Sequence, residues 1–118
     1  MNLELEEKLK SQFPQLLRRL RWGLECDDGW FELIQGTLKA VALCSEPDTA
    51  VVQIKEKFGG LRIYLESATE QAWDICEQAE RQSFEVCEGC GAPGRVFRRH
   101  GWMYNRCQVC ECLLNFQE

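Results

Sequence analysis

The sequence has a single histidine, His100, in 118 residues. A Ser-His-Asp device would have to be built on it, and a nuclease site needing two histidines is excluded. No apolar run approaches the roughly 18 residues of a membrane-spanning helix. Met1-Asn2-Leu3-Glu4-Leu5-Glu6-Glu7 is acidic and lacks the basic-then-apolar pattern of a secretory signal. We therefore expect a cytoplasmic protein without a membrane partner. Positive charge is in the minority: 14 Lys and Arg against 19 Asp and Glu leave −5, so the chain as a whole is no general polyanion binder. Gly59-Gly60 lacks the lysine and flanking pattern of a phosphate-binding loop. No nucleophile–base pair stands out, and we expect no enzyme and no catalytic residue.

Cysteine, by contrast, is plentiful, with eight residues. Cys26, Cys44 and Cys76 lie scattered among apolar neighbours. Cys87, Cys90, Cys107, Cys110 and Cys112 crowd the last 32 residues. Cys87-Glu88-Gly89-Cys90 and Cys107-Gln108-Val109-Cys110 are two Cys-x2-Cys pairs, and sixteen residues separate Cys90 from Cys107. Each pair can form a tight turn presenting two thiolates, and the spacer suits a β-hairpin that brings the turns together. This spacing predicts a structural Zn2+ held by Cys87, Cys90, Cys107 and Cys110. Four protein ligands would leave no open position for catalysis. Cys112 is a rival to Cys110 as fourth ligand, and His100 is read as a turn residue.

Four segments precede or join this ribbon. Leu5, Leu9, Phe13, Leu16, Leu17 and Leu20 repeat with a helical rhythm that Pro14 interrupts, which predicts two short helices, the second opening at Pro14 and ending at Gly23. Asp27-Asp28-Gly29 offers an N-cap for a helix carrying Trp30, Phe31, Ile34, Leu38, Val41 and Ala42. Residues 51–66 alternate on both sides of Gly59-Gly60 and predict a hairpin turning there. Its core face would be Val52, Ile54, Glu56, Phe58, Leu61, Ile63 and Leu65, with Glu56 the anomaly. Ser67-Ala68-Thr69-Glu70 reads as a capping box for a helix with an acidic outer face, Glu70, Asp74 and Glu77 among it. The expected architecture is α+β: a hairpin packed with three or four helices over residues 1–86, and a zinc ribbon over 87–118 packed on it as part of one compact domain.

Two faces are candidates for contact with a partner. Lys55, Lys57, Arg62 and Tyr64 share one face of the first hairpin. A turn at His100-Gly101 would put Arg95, Phe97 and Arg99 on one face with Trp102, Tyr104 and Arg106. Arginine alternating with aromatics can track a phosphate backbone and stack bases. Equally, the aromatics can pack on the body, and the charges of the first hairpin can be satisfied by the neighbouring acidic helix.

Asp28-Gly29-Trp30-Phe31, the string Val52-Gln53-Ile54-Lys55-Glu56-Lys57-Phe58-Gly59-Gly60-Leu61-Arg62-Ile63-Tyr64, Cys87-Glu88-Gly89-Cys90-Gly91-Ala92-Pro93-Gly94 and Gly101-Trp102 together resemble a set of small uncharacterised zinc-ribbon proteins of bacteriophages, prophages and other bacterial mobile elements. The resemblance covers about residues 13–112. In similar proteins the last metal ligand can be histidine where this chain has Cys110. The resemblance implies no particular activity. It implies a phage or mobile-element accessory or anti-defence role in a bacterial host cell. The reading from sequence is thus a non-enzymatic zinc-containing protein that binds a protein partner, with nucleic-acid binding through the basic hairpins as the alternative.

Overall fold

The computed structural model describes residues 1–114. Residues 115–118, expected from the sequence to belong to the ribbon, lie outside the described residues. The fold is α+β, with helices, a three-stranded sheet and a separate two-stranded ribbon.

Helix α1 spans Leu3–Gln12 and is capped by Asn2, whose side chain accepts from the Glu4 N–H at 2.7 Å. It stops at Phe13, because Pro14 has no N–H to continue the ladder. The second short helix does not form. Residues 14–19 run as successive turns, burying Leu16 and Leu17 without regular structure. Trp22 and Gly23 then take φ of 58° and 66°, reversing the chain into the two-residue strand β1, Leu24–Glu25. A 3-10 turn, Asp28–Trp30, leads into helix α2, Phe31–Leu43, with no side-chain cap from Asp27. Asp28 is occupied instead, accepting from the Asn2 N–H at 2.7 Å. Helix α2 buries Ile34, Thr37, Leu38 and Val41, the i, i+3, i+4, i+7 stripe of an amphipathic helix, and leaves Ala42 exposed.

Strands β2 (Ala50–Lys57) and β3 (Gly60–Glu66) form the hairpin, and β1 lies parallel against β2. The turn is Phe58-Gly59, not Gly59-Gly60: Lys57 pairs with Gly60 and Glu56 with Leu61. Both strands slid by one residue, so the parity of the faces survived. Ile54, Leu61, Ile63 and Leu65 are buried as the alternation implied. Two members of the expected core face are corrected. Phe58 occupies the turn at φ 55° and is 64% exposed. A register irregularity between Val51 and Gln53 turns Val51 inward and leaves Val52 half-buried. Helix α3, Glu70–Ser83, is capped by Thr69, whose hydroxyl accepts from the Ala72 N–H at 3.1 Å, and not by Ser67. It packs Ala72, Cys76 and Ala79 into the core shared by α2 and the sheet.

The ribbon comes last: β4 (Arg95–Arg99), β5 (Trp102–Arg106) and the short helix α4 (Gln108–Leu114). Its register is the one a His100-Gly101 turn implies, with Arg95 opposite Arg106, Phe97 opposite Tyr104 and Arg99 opposite Trp102. Among the described residues no helix is long and apolar enough to cross a membrane.

Candidate metal centre

The first Cys-x2-Cys turn begins at Cys87, with three residues between it and the end of α3. The Cys87 N–H donates to the Ala92 carbonyl at 2.7 Å, and the Gly91 N–H donates back to the Cys87 carbonyl at 2.9 Å. Gly91 takes φ 85°, which a side chain would resist. The second turn closes at the start of α4, where the Glu111 N–H donates to the Cys107 carbonyl at 2.9 Å and the Cys110 N–H points at the Cys107 sulfur at 3.5 Å. The sulfurs of Cys87, Cys90, Cys107 and Cys110 all lie within 4.8 Å of one another, and those of Cys90 and Cys107 are 3.6 Å apart. Thiolates about 2.3 Å from a tetrahedral zinc stand about 3.8 Å from each other. The quartet can therefore hold a metal ion. Cys112 is exposed and outside the cluster, and His100 is at the far turn of the ribbon.

The four thiols are not equivalent. Cys87 is buried, Cys107 and Cys110 are half-buried, and Cys90 is exposed. The Cys110 N–H holds the Cys107 thiol down at about 7, while burial and the neighbouring thiols push Cys110 up to about 12. Thiols this close cannot all ionise unless a cation joins them, so metal binding must release protons.

Glu88, between Cys87 and Cys90, ties the centre to the body. One carboxylate oxygen accepts from the Asp27 N–H at 2.9 Å, and the other accepts from Arg106 at 3.1 Å. Arg106 also reaches Asp27 at 2.7 Å. Burial raises the Glu88 pKa, against the lowering pull of the Asp27 amide and Arg106. The Glu88 backbone works in the same seam: its N–H donates to the Asn105 carbonyl at 3.1 Å and its carbonyl accepts from Gly29 at 2.7 Å. A Cβ on Gly29 would lie 2.2 Å from the Cys87 carbonyl oxygen, so only glycine fits. Trp30, fully buried, donates its indole N–H to the Val86 carbonyl at 2.9 Å.

A second seam joins the ribbon to the first hairpin. Asn105 is fully buried, and its amide donates to the carbonyls of Gly59 at 3.0 Å and Ser83 at 2.6 Å. The Ser83 hydroxyl accepts from the Leu61 N–H at 2.8 Å. A Cβ on Gly60 would meet the Phe84 ring at 2.8 Å. The Lys-Glu-Lys-Phe-Gly-Gly-Leu-Arg string is thus where the hairpin tip, the end of α3 and the ribbon converge. Glu56, the acid on the apolar face, accepts from the Gly59 N–H at 2.8 Å and so braces its own turn.

The candidate contact residues divide. Arg106 belongs to the seam with Glu88 and Asp27, its side chain only 11% exposed, so the partner-facing place expected for it is corrected. Arg62 lies 3.4 Å from Glu80 on α3, the internal pairing that the acidic helix made available. Lys55 and Tyr64 are half-buried, and the Lys57 ammonium stands over the Phe58 ring. On the ribbon, Phe97 and Tyr104 stack at 5.8 Å instead of joining the hydrophobic core, and Trp102 is 71% exposed. Arg95 lies over Phe97 and pairs with Glu111, while Arg99 is half-buried.

Asp27, Glu88, Asn105 and Gly29 were not singled out by sequence reasoning as parts of this centre. Glu88 carried one signal, a charged residue enclosed between two metal ligands, but its partners are 18 and 61 residues away. No family model, no curated protein and no solved structure matches this chain.

Proposed function

We propose that the protein is a non-enzymatic binding protein stabilised by a structural zinc ion, acting in the cytoplasm of a bacterial host by occupying a protein partner. A phage or mobile-element accessory role, anti-defence included, is the setting that the sequence resemblance suggests. The observation that carries the reading is the use made of the polar groups around the centre. Four thiols would fill a tetrahedral zinc and leave no place for substrate. Glu88, Arg106, Asp27 and Asn105 join the ribbon to the body, and Glu56 braces a turn. The surface meanwhile displays large apolar side chains, among them Trp22, Phe58 and Trp102, that serve no contact of the core.

The second reading, nucleic-acid binding, is favoured by the stacked Phe97–Tyr104 pair flanked by Arg95, Arg99 and the exposed Trp102. The two separate in one experiment: retention of single-stranded DNA and RNA measured across a salt series, beside co-purification from host cells. The first reading expects a stoichiometric protein companion that survives nuclease treatment, and nucleic-acid retention that vanishes by physiological salt. Tight nucleic-acid binding without a protein companion would reverse the order.

A further inference from the structure

Of the nine glycines, eight are explained by the fold. Gly23, Gly59, Gly91 and Gly101 take positive φ, and Gly29, Gly60, Gly89 and Gly94 each face an atom too close for an added Cβ to enter freely. Gly36 has neither reason. It sits inside α2, exposed, with nothing within 4 Å of where a Cβ would stand. An interior helix glycine costs about 1 kcal/mol relative to alanine, and no contact among the described residues offsets it.

Gly36 lies on a groove between α2 and α3. A cavity of about 290 Å³ opens there between Ala40 and Ile75, with Gln78 and Gln82 on its rim. A second, of about 400 Å³, opens beside Cys90 and Gly91. Glu32 and Leu33 line both, so the two adjoin along α2, the second reaching the Cys90–Gly91 turn. Glu32, Gly36 and Ala40 repeat at four-residue spacing, a trough running along the helix for about 12 Å, which matches the ridge of a third helix. The charge on the lining is of one sign: Asp28 and Glu32 line it, and no lysine or arginine does. Glu32 has no ion-pair partner among the described residues.

We propose that this groove docks an amphipathic helix of a protein partner, its small or apolar face over Gly36 and a lysine or arginine at the Asp28–Glu32 end. The proposal rests on the protein-binding reading and names its surface. The missing side chain at Gly36 lets the incoming helix approach the α2 backbone closely, and the two carboxylates set its direction.

The test places a photo-crosslinking p-benzoylphenylalanine at Gln78 in the groove and, as a control, at Lys57 on the hairpin, in the cells that carry the protein. Mass spectrometry identifies the crosslinked segment, and a labelled synthetic copy of it becomes the probe. The groove expects adducts from position 78 to a segment with helical apolar spacing and a basic end. Gly36→Leu and Glu32→Lys should each weaken the peptide about tenfold or more. Gly36→Leu should at the same time keep or raise the melting temperature, since leucine favours helix over glycine. Adducts from position 57 alone, or a peptide that binds Gly36→Leu as it binds the wild type, would overturn the groove and leave protein binding standing. No protein adduct from either position, with nucleic acid retained instead, would overturn both.

Discussion

Hairpins β2–β3 and β4–β5 reverse in the same way: Phe58-Gly59 takes φ of 55° and 85°, and His100-Gly101 takes 51° and 82°. What holds them differs. The first contributes Ala50, Val51, Ile54, Leu61, Ile63 and Leu65 to the buried interior, while the second buries only Asn105. Each fully buried Leu or Ile is worth roughly 1.5–3 kcal/mol, so the first hairpin stands on apolar packing. The second has almost none to draw on. It depends on the thiol quartet at its base and on two polar seams, Glu88–Arg106–Asp27 and Asn105 with Gly59 and Ser83. A short ribbon can dispense with a core if a metal closes it and hydrogen bonds dock it.

The largest way to break the comparison is to remove a ligand. With zinc in the quartet, Cys87→Ser should forfeit metal binding on the order of 10 kcal/mol. Amide signals of residues 87–114 should collapse towards random-coil shifts in an NMR spectrum, while those of β2 and β3 persist. Next is Gly29→Ala, whose Cβ would lie 2.2 Å from the Cys87 carbonyl oxygen and 2.5 Å from that of Glu88. We expect about 3 kcal/mol or more of lost stability by denaturant unfolding, although Gly29 is in the body and not in the ribbon. Asn105→Ala comes third. It leaves the Gly59 and Ser83 carbonyls without that donor and should cost about 2 kcal/mol, read in the same unfolding curves.

These residues also mark how far the sequence could be read. The thiol quartet was legible because each half is a local Cys-x2-Cys pair, and the second hairpin because His100-Gly101 is its only turn signal. The first hairpin's turn was displaced by one residue. Two glycines in a row offer two positions, and Phe58 reads as a core residue until it is seen at φ 55°. Face parity survived because both strands moved together. Pro14 signalled the end of α1 correctly but not the conformation of residues 14–19, which are shaped by burying Leu16 and Leu17. The seams were invisible because each joins residues far apart in the chain: Asn105 meets Gly59 across 46 positions, and Glu88 meets Asp27 across 61. No periodicity encodes such pairings.

The smallest effect sharpens the contrast between the two sets of cysteines. Burial, above all, pushes Cys26 and Cys76 up to about 12. Their raised values favour the neutral thiol in the fold. The stability they contribute is complete below the unfolded value near 9 and is lost as pH climbs towards 12. On the zinc-loaded protein, iodoacetamide at pH 8 should therefore spare Cys26 and Cys76 and modify the exposed Cys112 first, as peptide mapping would read. Urea midpoints should fall between pH 9 and 12.

The most direct measurement is hydrogen–deuterium exchange on the purified protein before and after a strong chelator, with the metal released counted by elemental analysis. The account predicts about one zinc per chain. Its removal should expose the amides of residues 87–114 together with those of Asp27 and Gly29, which the Glu88 seam holds, while the protection of β2, β3 and α2 is retained. Protein that carries no metal yet keeps the ribbon protected, or that loses protection evenly throughout when the metal leaves, would contradict it.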